Sequence, residues 1–204
     1  MPIDLKRTLD DYRATRGVFR LVDVTARQYL MVDGHGDPNT SALYADAVSA
    51  LFPVAYALKA AVRREMGEDY VVMPLEALWW AEDMDAFTTR RDKERWSWTV
   101  MILVPDAVTR GRFDDAVATV AAKKRLGRLG DVRLEALDEG TCLQTLHVGS
   151  YDDEATVLAR LHALEVPERG LRLTGRHHEI YLSDPRRVAP ERLRTILRQP
   201  VTTR

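Results

Sequence analysis

The feature that most constrains the fold of this chain is a layout that occurs twice in its sequence. In the first copy the run Y-L-M-V-D-G leads through a loop and a long helical pattern to P-L-E-A-L-W-W. In the second copy L-Q-T-L-H-V-G-S-Y leads through a helical pattern to H-H-E-I-Y-L. Each copy has the order strand, glycine turn, helix, strand, strand, and Glu76 sits opposite Glu179 in the overlay. The repetition predicts two β-α-β-β units in one chain.

We therefore predict a single α+β domain, since 204 residues suffice for one large domain or two small ones. The predicted boundaries are 1–25 for an N-terminal arm, 26–105 for the first half, 106–140 for an inserted helix and strand, and 141–204 for the second half.

The longest helical pattern follows the first predicted strand. Apolar residues recur at helical spacing from Leu43 to Val62, and the pattern runs to about Met66, before the stop residue Gly67. Pro53 lies inside this pattern, so we expect a kink or a break of the helix near it.

Four more elements are predicted towards the C-terminus. A helix covers about Arg112–Leu126, and Val132–Leu137 and Cys142–Val148 form a hairpin-like pair around the turn D-E-G. A last short helix is predicted at Pro190–Leu197, because proline suits the first position of a helix.

Composition excludes several function classes. The net charge is -1 and the pI is near 6.5, so the chain lacks the basic footprint of a nucleic-acid-binding protein. Cys142 is the only cysteine, which excludes an internal disulfide and a multi-cysteine metal site. The N-terminus has no apolar core like that of a signal peptide, and no window has the continuous apolar length of a membrane span. We expect a soluble cytoplasmic protein with no membrane partner.

No motif for a metal or a cofactor is present. The five histidines show neither H-x-x-x-H nor H-E-x-x-H spacing, and the adjacent His177 and His178 point to opposite sides of a predicted strand. The loop G-H-G-D-P lacks the lysine and the glycine spacing of a phosphate loop.

The candidate for chemistry is a carboxylate in the middle of the last predicted strand. In G-R-H-H-E-I-Y-L-S-D-P-R-R, alternation places His177, Glu179 and Tyr181 on one face. Burying a carboxylate is costly unless it is paired or hydrogen-bonded. Glu179 is therefore either solvent-exposed or tied to Arg176 or Arg186, or it lines a cavity where it has a function. The residues alone leave these alternatives open.

Several longer motifs carry a resemblance to a known family. They are L-Y-A-D-A-V-S-A-L-F, W-W-A-E-D-M-D-A-F, W-S-W-T-V-M-I-L-V-P-D, E-G-T-C-L-Q-T-L-H-V-G-S-Y-D-D-E and H-H-E-I-Y-L-S-D-P-R-R. Together they resemble stand-alone members of the GyrI-like small-molecule-binding domain family, from about Ala26 to Pro200.

The resemblance implies a fold and a place for the ligand. The fold is a pair of pseudo-symmetric β-α-β-β units in one curved, mostly antiparallel sheet, with helices on one face and a ligand groove between the halves. Relatives include effector-binding domains of multidrug-responsive transcription regulators, which bind flat, aromatic and often cationic compounds. Others are cyclopropyl hydrolases, which add water to the cyclopropane of DNA-alkylating natural products.

The expected site combines this carboxylate with aromatic side chains. Glu179 matches the acidic residue of the effector-binding relatives, and Tyr151 or Tyr181 is expected to assist it in catalysis. Tryptophan is the best partner of flat cations, and the four tryptophans cluster on two adjacent predicted strands. The expected ligand-binding residues are Tyr44, Trp79, Trp80, Trp98, His147, Tyr151, Glu179 and Tyr181. Trp79 and Trp80 are adjacent, so at most one of them lines the groove if the strand is regular.

Three functions are compatible with the sequence. The first is binding of aromatic, cationic or electrophilic small molecules, the second is hydrolysis of an activated cyclopropane, and the third is inhibition of DNA gyrase by protein–protein contact. The charged run at 82–95 is most simply a solvated loop, with a mobile lid over the groove as the alternative. Whether the protein is a monomer or a homodimer stays open.

Overall fold

Strands from both halves of the chain lie side by side in one sheet. The structure, a computed structural model, describes residues 2–82 and 92–203, so most of the predicted lid lies outside the described residues. The strands are β1 Arg20–Val24, β2 Arg27–His35, β3 Glu76–Trp80, β4 Ser97–Leu103, β5 Arg133–Leu137, β6 Gly140–Val148, β7 Leu171–Leu173, β8 His177–Tyr181 and β9 Arg194–Thr203. All strand pairs among these residues are antiparallel.

The order of the strands shows the repetition predicted from the sequence. β3 and β8 pair at the centre, and the order outward is β3-β4-β2-β5 on one side and β8-β9-β6-β1 on the other. Each β-α-β-β half thus has three core strands and one added edge strand. The edge strand β1 comes from the segment predicted as an arm, and β5 from the inserted segment.

Two very short connections explain why the sheet is curved. β1 is followed by β2, and β5 by β6, with only two residues between the strands of each pair. Such a link reaches at most about 11 Å. In a flat sheet β5 and β6 would lie about 29 Å apart, since neighbouring strands are about 4.8 Å apart. The sheet must therefore curl until its two ends approach each other.

The helices pack mainly on the outer face of this curved sheet. They are α1 Leu5–Thr8, α2 Ala42–Met66, α3 Arg110–Lys123 and α4 Glu154–Arg160, and α4 continues through a π-helical turn, Leu161–Glu165, into one more turn at Val166–Glu168. α2 packs on β2 and β4, and α3 packs on α2. α2 is long and apolar enough to meet the criterion for a membrane span. Its residues Leu51, Val54 and Leu58 are fully buried in the core.

Details of α2 confirm one prediction and correct another. Gly67 ends the helix in the left-handed conformation (φ 70°), as its position predicts. Of the kink or break predicted near Pro53, the break does not occur, since α2 continues through Pro53. An interior proline costs about 3 kcal/mol, and burial of the apolar stripe on both sides of Pro53 offsets this cost.

Two further predictions are wrong. β5 and β6 do not form a hairpin, because β5 pairs with β2 and β6 pairs with β1 and β9. The helix predicted at Pro190–Leu197 is a 3-10 turn, Pro190–Arg192, followed by β9. The apolar residues Leu193, Ile196 and Leu197 have helical spacing, but β9 is buried between β6 and β8 and needs apolar residues on both faces.

The two glutamates matched in the overlay point to opposite sides of the sheet. Glu76 pairs with Ile180, while Ala77 pairs with Glu179. Paired residues share a face and neighbours alternate. Glu76 therefore points to the inner face, and Glu179 to the outer face beneath the helices.

The inner face holds a buried network of charges centred on His178. Its two ring nitrogens lie 3.0 Å from Glu76 Oε2 and 3.0 Å from Glu139 Oε2. Arg198 donates to Glu139 at 3.0 Å and to Asp11 at 3.1 Å. Tyr12 donates to Glu76 at 2.5 Å, and Arg27 pairs with Asp11 at 2.7 Å. The three carboxylates and three cations balance, which is the condition for keeping such charges inside a protein.

The pKa values of this network follow from its pairing. Burial by itself would lower the pKa of His178, but Glu139 and then Glu76 raise it to about 9. Burial would raise the pKa of Glu139, and His178 and Arg198 lower it to about 2. His178 is therefore an imidazolium at neutral pH.

We expect the stability of the fold to fall at alkaline pH. The pKa of His178 is raised in the folded state, so its contribution is complete below about pH 6.5 and is lost as the pH rises through about 9. At about 1.4 kcal/mol per pH unit, the loss is about 3 kcal/mol. Urea unfolding of the wild type at pH 6 and pH 9.5 measures it. His178→Gln should flatten this dependence and the exposed His35→Gln should not, whereas equal wild-type stability at both pH values would contradict the assignment.

We also expect Gly34→Ala to destabilise the protein by about 1–3 kcal/mol. A Cβ at Gly34 would overlap the six-membered ring of Trp98, which is fully buried. The control is Gly111→Ala in α3, where a Cβ meets no atom within 4 Å and alanine favours the helix. Thermal unfolding should show a loss for the first variant only. A wild-type melting temperature for Gly34→Ala would contradict this packing.

Candidate functional site

A large cavity lies on the outer face, between α2 and the α4 segment, which is α4 with its π-helical continuation (154–168). Its volume is about 1510 Å³. One side is formed by α2 residues that include Tyr44, Val48 and Phe52, and the other by residues of the α4 segment such as Leu158. The central strands β3 and β8 form its floor, so the cavity is the groove between the two halves.

Glu179 lies at the floor of this cavity, where Tyr181 and His177 flank its two carboxylate oxygens. Tyr181 donates its hydroxyl to Glu179 Oε2 at 2.8 Å, and Trp79 Nε1 donates to the Tyr181 oxygen at 3.1 Å. On the other side, Glu179 Oε1 lies 3.6 Å from His177 Nε2. Glu179 is 8% exposed, which decides between the alternatives left open by the sequence: its carboxylate lines a cavity.

Aromatic rings surround this carboxylate. Tyr44 stacks on Trp79 with centroids 6.1 Å apart and an interplanar angle of 18°. Trp96 meets Trp79 edge-on at 5.7 Å, and Tyr151 meets Tyr181 edge-on at 5.6 Å. These five rings give the floor a largely apolar surface around one polar group, as is usual for small-molecule sites.

The phenols of the site are neutral at pH 7. Burial, and after it Glu179, raise the pKa of Tyr181 and Tyr44. Burial and Glu154 raise the pKa of Tyr151 to about 12. The three hydroxyls are therefore proton-bearing hydrogen-bond donors beside a carboxylate.

Five of the eight predicted ligand-binding residues line the cavity, namely Tyr44, Trp79, Tyr151, Glu179 and Tyr181. The other three do not. Trp80 points to the opposite face from Trp79, and Arg176 stacks on its ring at 3.6 Å. Trp98 is fully buried under Gly34. His147 is held at the end of β6, where its Nε2 lies 2.9 Å from the Ser150 carbonyl.

Sequence reasoning missed several residues of the cavity. Val48, Phe52 and Tyr56 form a second stripe on α2 with a spacing of four residues, beside the stripe that enters the core. This stripe was a usable signal, since it widens the apolar face beyond what the core needs. His162 also lines the cavity, and no sequence pattern marks it because its position depends on the π-helical turn.

Charged residues are found where the cavity opens. Lys93 pairs with Asp152 at 3.1 Å, and Arg186 pairs with Asp184 at 2.9 Å. Among residues 2–82 and 92–203, no group of three or more histidine, cysteine, aspartate or glutamate side chains is arranged to hold a metal ion. The carboxylate at the floor of the cavity is Glu179, with phenol and indole neighbours, and the buried Glu154 lies in the cavity wall.

Comparisons with known proteins agree with this architecture. Residues 18–202 match the family model described as GyrI-like small molecule binding domain. A comparison with curated proteins gave no significant match.

Solved structures with high similarity come from Listeria innocua. An uncharacterized conserved protein is 36% identical (TM-score 0.88; 98% of this chain and 100% of that chain covered). A protein titled a hydrolase is 35% identical (TM-score 0.83; 98% and 100% covered). The EcmrR C-terminal domain, 12% identical with a TM-score of 0.59 over 92% of this chain and 98% of that chain, shares the fold. The family model covers most of the chain, and its match shows that the chain belongs to the GyrI-like small-molecule-binding domain family.

Proposed function

We propose that this protein binds planar aromatic electrophiles in its cavity and adds water to them, with activated cyclopropanes as the substrate class. One observation carries the proposal: the Glu179 carboxylate lies on an aromatic floor and is oriented by Tyr181 at 2.8 Å. The hydrolase title of a relative that is 35% identical over its whole length supports hydrolysis over binding alone.

The aromatic rings supply the binding part of the function. A flat ligand lies against the stacked pair of Tyr44 and Trp79, where ring stacking contributes about 0.5–1.5 kcal/mol beyond the burial of area. The cavity of about 1510 Å³ exceeds what a drug-sized ligand fills, so an extended ligand of several fused rings fits.

The polar groups supply the chemical part. Glu179 takes a proton from a water molecule as the water oxygen bonds to the cyclopropane carbon. The electrons of the broken carbon–carbon bond move to the conjugated carbonyl oxygen, which gains negative charge. Tyr151, whose phenol stays protonated, donates a hydrogen bond to this oxygen. Ring strain activates the substrate, so this modest set of groups suffices.

Glu179→Gln is expected to lower the rate of water addition by about 100-fold or more, because glutamine cannot accept the proton of water. The amide preserves the shape of the side chain, so binding of a neutral substrate should change little. Mass spectrometry of an activated cyclopropane incubated with the protein detects the water adduct. The control is the surface residue Glu168→Gln. Wild-type rates in Glu179→Gln would refute the role of the carboxylate.

A second candidate function is reversible binding of aromatic cations without chemistry. It is favoured by the same floor, because the faces of Trp79 and Tyr44 and the charge of Glu179 all attract a flat cation. The two functions differ in one result: a cation that is bound and released unchanged, with no water adduct from any cyclopropane, would identify a binding protein.

Adjacent tryptophans provide a matched test of where the ligand binds. Trp79→Leu should weaken binding of a planar cationic dye by about 10-fold or more, equivalent to about 1.4 kcal/mol, because the ring lines the cavity. Trp80→Leu should bind the dye as the wild type does, since Trp80 lies on the opposite face under Arg176. Fluorescence titration of the dye measures both. Equal losses in the two variants would place the ligand elsewhere.

A further inference from the structure

Two histidines, His177 and His162, lie next to Glu179 on the outer side of the sheet. His177 and Glu179 share one face of β8, and His177 Nε2 lies 3.6 Å from Glu179 Oε1. The His177 side chain is fully buried and does not line the cavity. His162 does line the cavity, and its ring meets the His177 ring edge-on with centroids 5.9 Å apart. His177 therefore lies between the carboxylate and a second imidazole.

The orientation of His162 is fixed by Gln199. The Gln199 amide nitrogen donates to the Thr174 carbonyl at 2.8 Å and to the Pro200 carbonyl at 3.2 Å. Its oxygen is left to accept, and His162 Nε2 lies 3.3 Å from it. His162 Nε2 thus carries the proton, and Nδ1 is the unprotonated nitrogen.

The charge state of His162 follows from its surroundings. Burial, and after it the neighbouring His177, lower the pKa of His162 to about 4. His162 is neutral at pH 7 and does not repel a proton on His177. The π-helical turn Leu161–Glu165 carries His162, and such turns occur frequently at functional sites.

We propose that His177 is a positioning residue for Glu179: it holds Oε1 while Tyr181 holds Oε2, and it accepts the proton that Glu179 removes from water. This inference rests on the proposed hydrolytic function. The present 3.6 Å separation is longer than a hydrogen bond, and contacts of this kind shorten when a substrate is bound.

The proton balance of the step is complete. Water gives its oxygen to the substrate carbon and one proton to Glu179. The electrons of the broken bond stay on the carbonyl oxygen, which takes one proton from solvent. Glu179 passes its proton to His177 Nε2, and the resulting imidazolium is paired with the restored carboxylate. The proton then returns through Glu179 to solvent, since Glu179 lines the cavity and His177 does not. One water is added in total, and no oxidant or reductant is needed.

Titratable groups from several elements surround His177 and Glu179. Glu179 and Tyr181 come from β8 itself, His162 from the π-helical turn, and Tyr44 from α2. Glu154 and Tyr151 lie at the start of α4. The phenols are neutral, and Glu179 and Glu154 are the acidic members of this group.

The test compares His177→Leu, His177→Gln and the matched control His147→Gln. His147 lies on the same face of the sheet, is buried and does not itself line the cavity. His177→Leu should lower kcat by about 10- to 100-fold and leave KM within about twofold. His177→Gln keeps an N–H near the Nε2 position but cannot accept a proton there, so it should restore only part of the loss of kcat and leave KM unchanged. His147→Gln keeps a donor for the Ser150 carbonyl and should behave as the wild type.

A structural role alone would not lower kcat while leaving KM unchanged, nor would it give partial rescue by glutamine. Equal losses in His177→Leu and His147→Gln, or no loss in either, would overturn the proposal.

A second measurement decides the inference even where no hydrolysis is found. Imidazole nitrogen resonances of ¹⁵N-histidine-labelled protein report the state of each ring. Glu179→Gln should shift the His177 resonances and leave those of His147 unchanged. No response of His177 to this substitution would overturn the coupling, whereas a response without any water adduct in the wild type would retain the coupling and refute the hydrolytic function.

Discussion

The pairing of β3 with β8 is the contact on which the rest of the structure depends. It joins the two halves and forms the floor of the cavity. It also places the charged network of His178 and the carboxylate of Glu179 on opposite faces of the sheet. Because neighbouring residues of a strand point to opposite faces, His178 enters the charged network inside the curved sheet, and Glu179 enters the cavity outside it. On the inner face, His178 of β8 pairs with Glu76 and Glu139. These ion pairs stabilise the position of the strand that carries Glu179.

This arrangement explains how a carboxylate is kept in an apolar cavity. Desolvation of a charge is costly unless partners replace water. Tyr181 donates a hydrogen bond to Oε2 in place of a water molecule, Trp79 Nε1 donates to the Tyr181 oxygen, and His177 lies near Oε1. The part of the carboxylate that remains open faces the ligand space. The site thus combines an oriented base with flat apolar surfaces, and these are the two requirements of the proposed reaction.

The sequence predicted those parts of the structure that depend on local alternation and repetition. The two β-α-β-β halves followed from the repeated layout, and the shared face of Glu179 and Tyr181 followed from the period of a strand. The sequence could not show which of Trp79 and Trp80 faces the ligand, because that depends on the side of the sheet on which α2 packs. It also misassigned β9, because Leu193, Ile196 and Leu197 have the spacing of a helix and only pairing with β6 and β8 selects the strand. His162 depends on an extra residue in a helical turn, for which the sequence carries no periodic signal.

The alternation along β8 also divides its positions into two groups in which substitutions have different consequences. Odd-numbered positions, 177 to 181, belong to the ligand side, and the even-numbered His178 and Ile180 belong to the interior. A library restricted to the odd positions therefore alters what the protein recognises while the scaffold that supports recognition keeps its charge balance. In this architecture the binding site can vary along one strand while the buried charges on the other face of that strand stay paired.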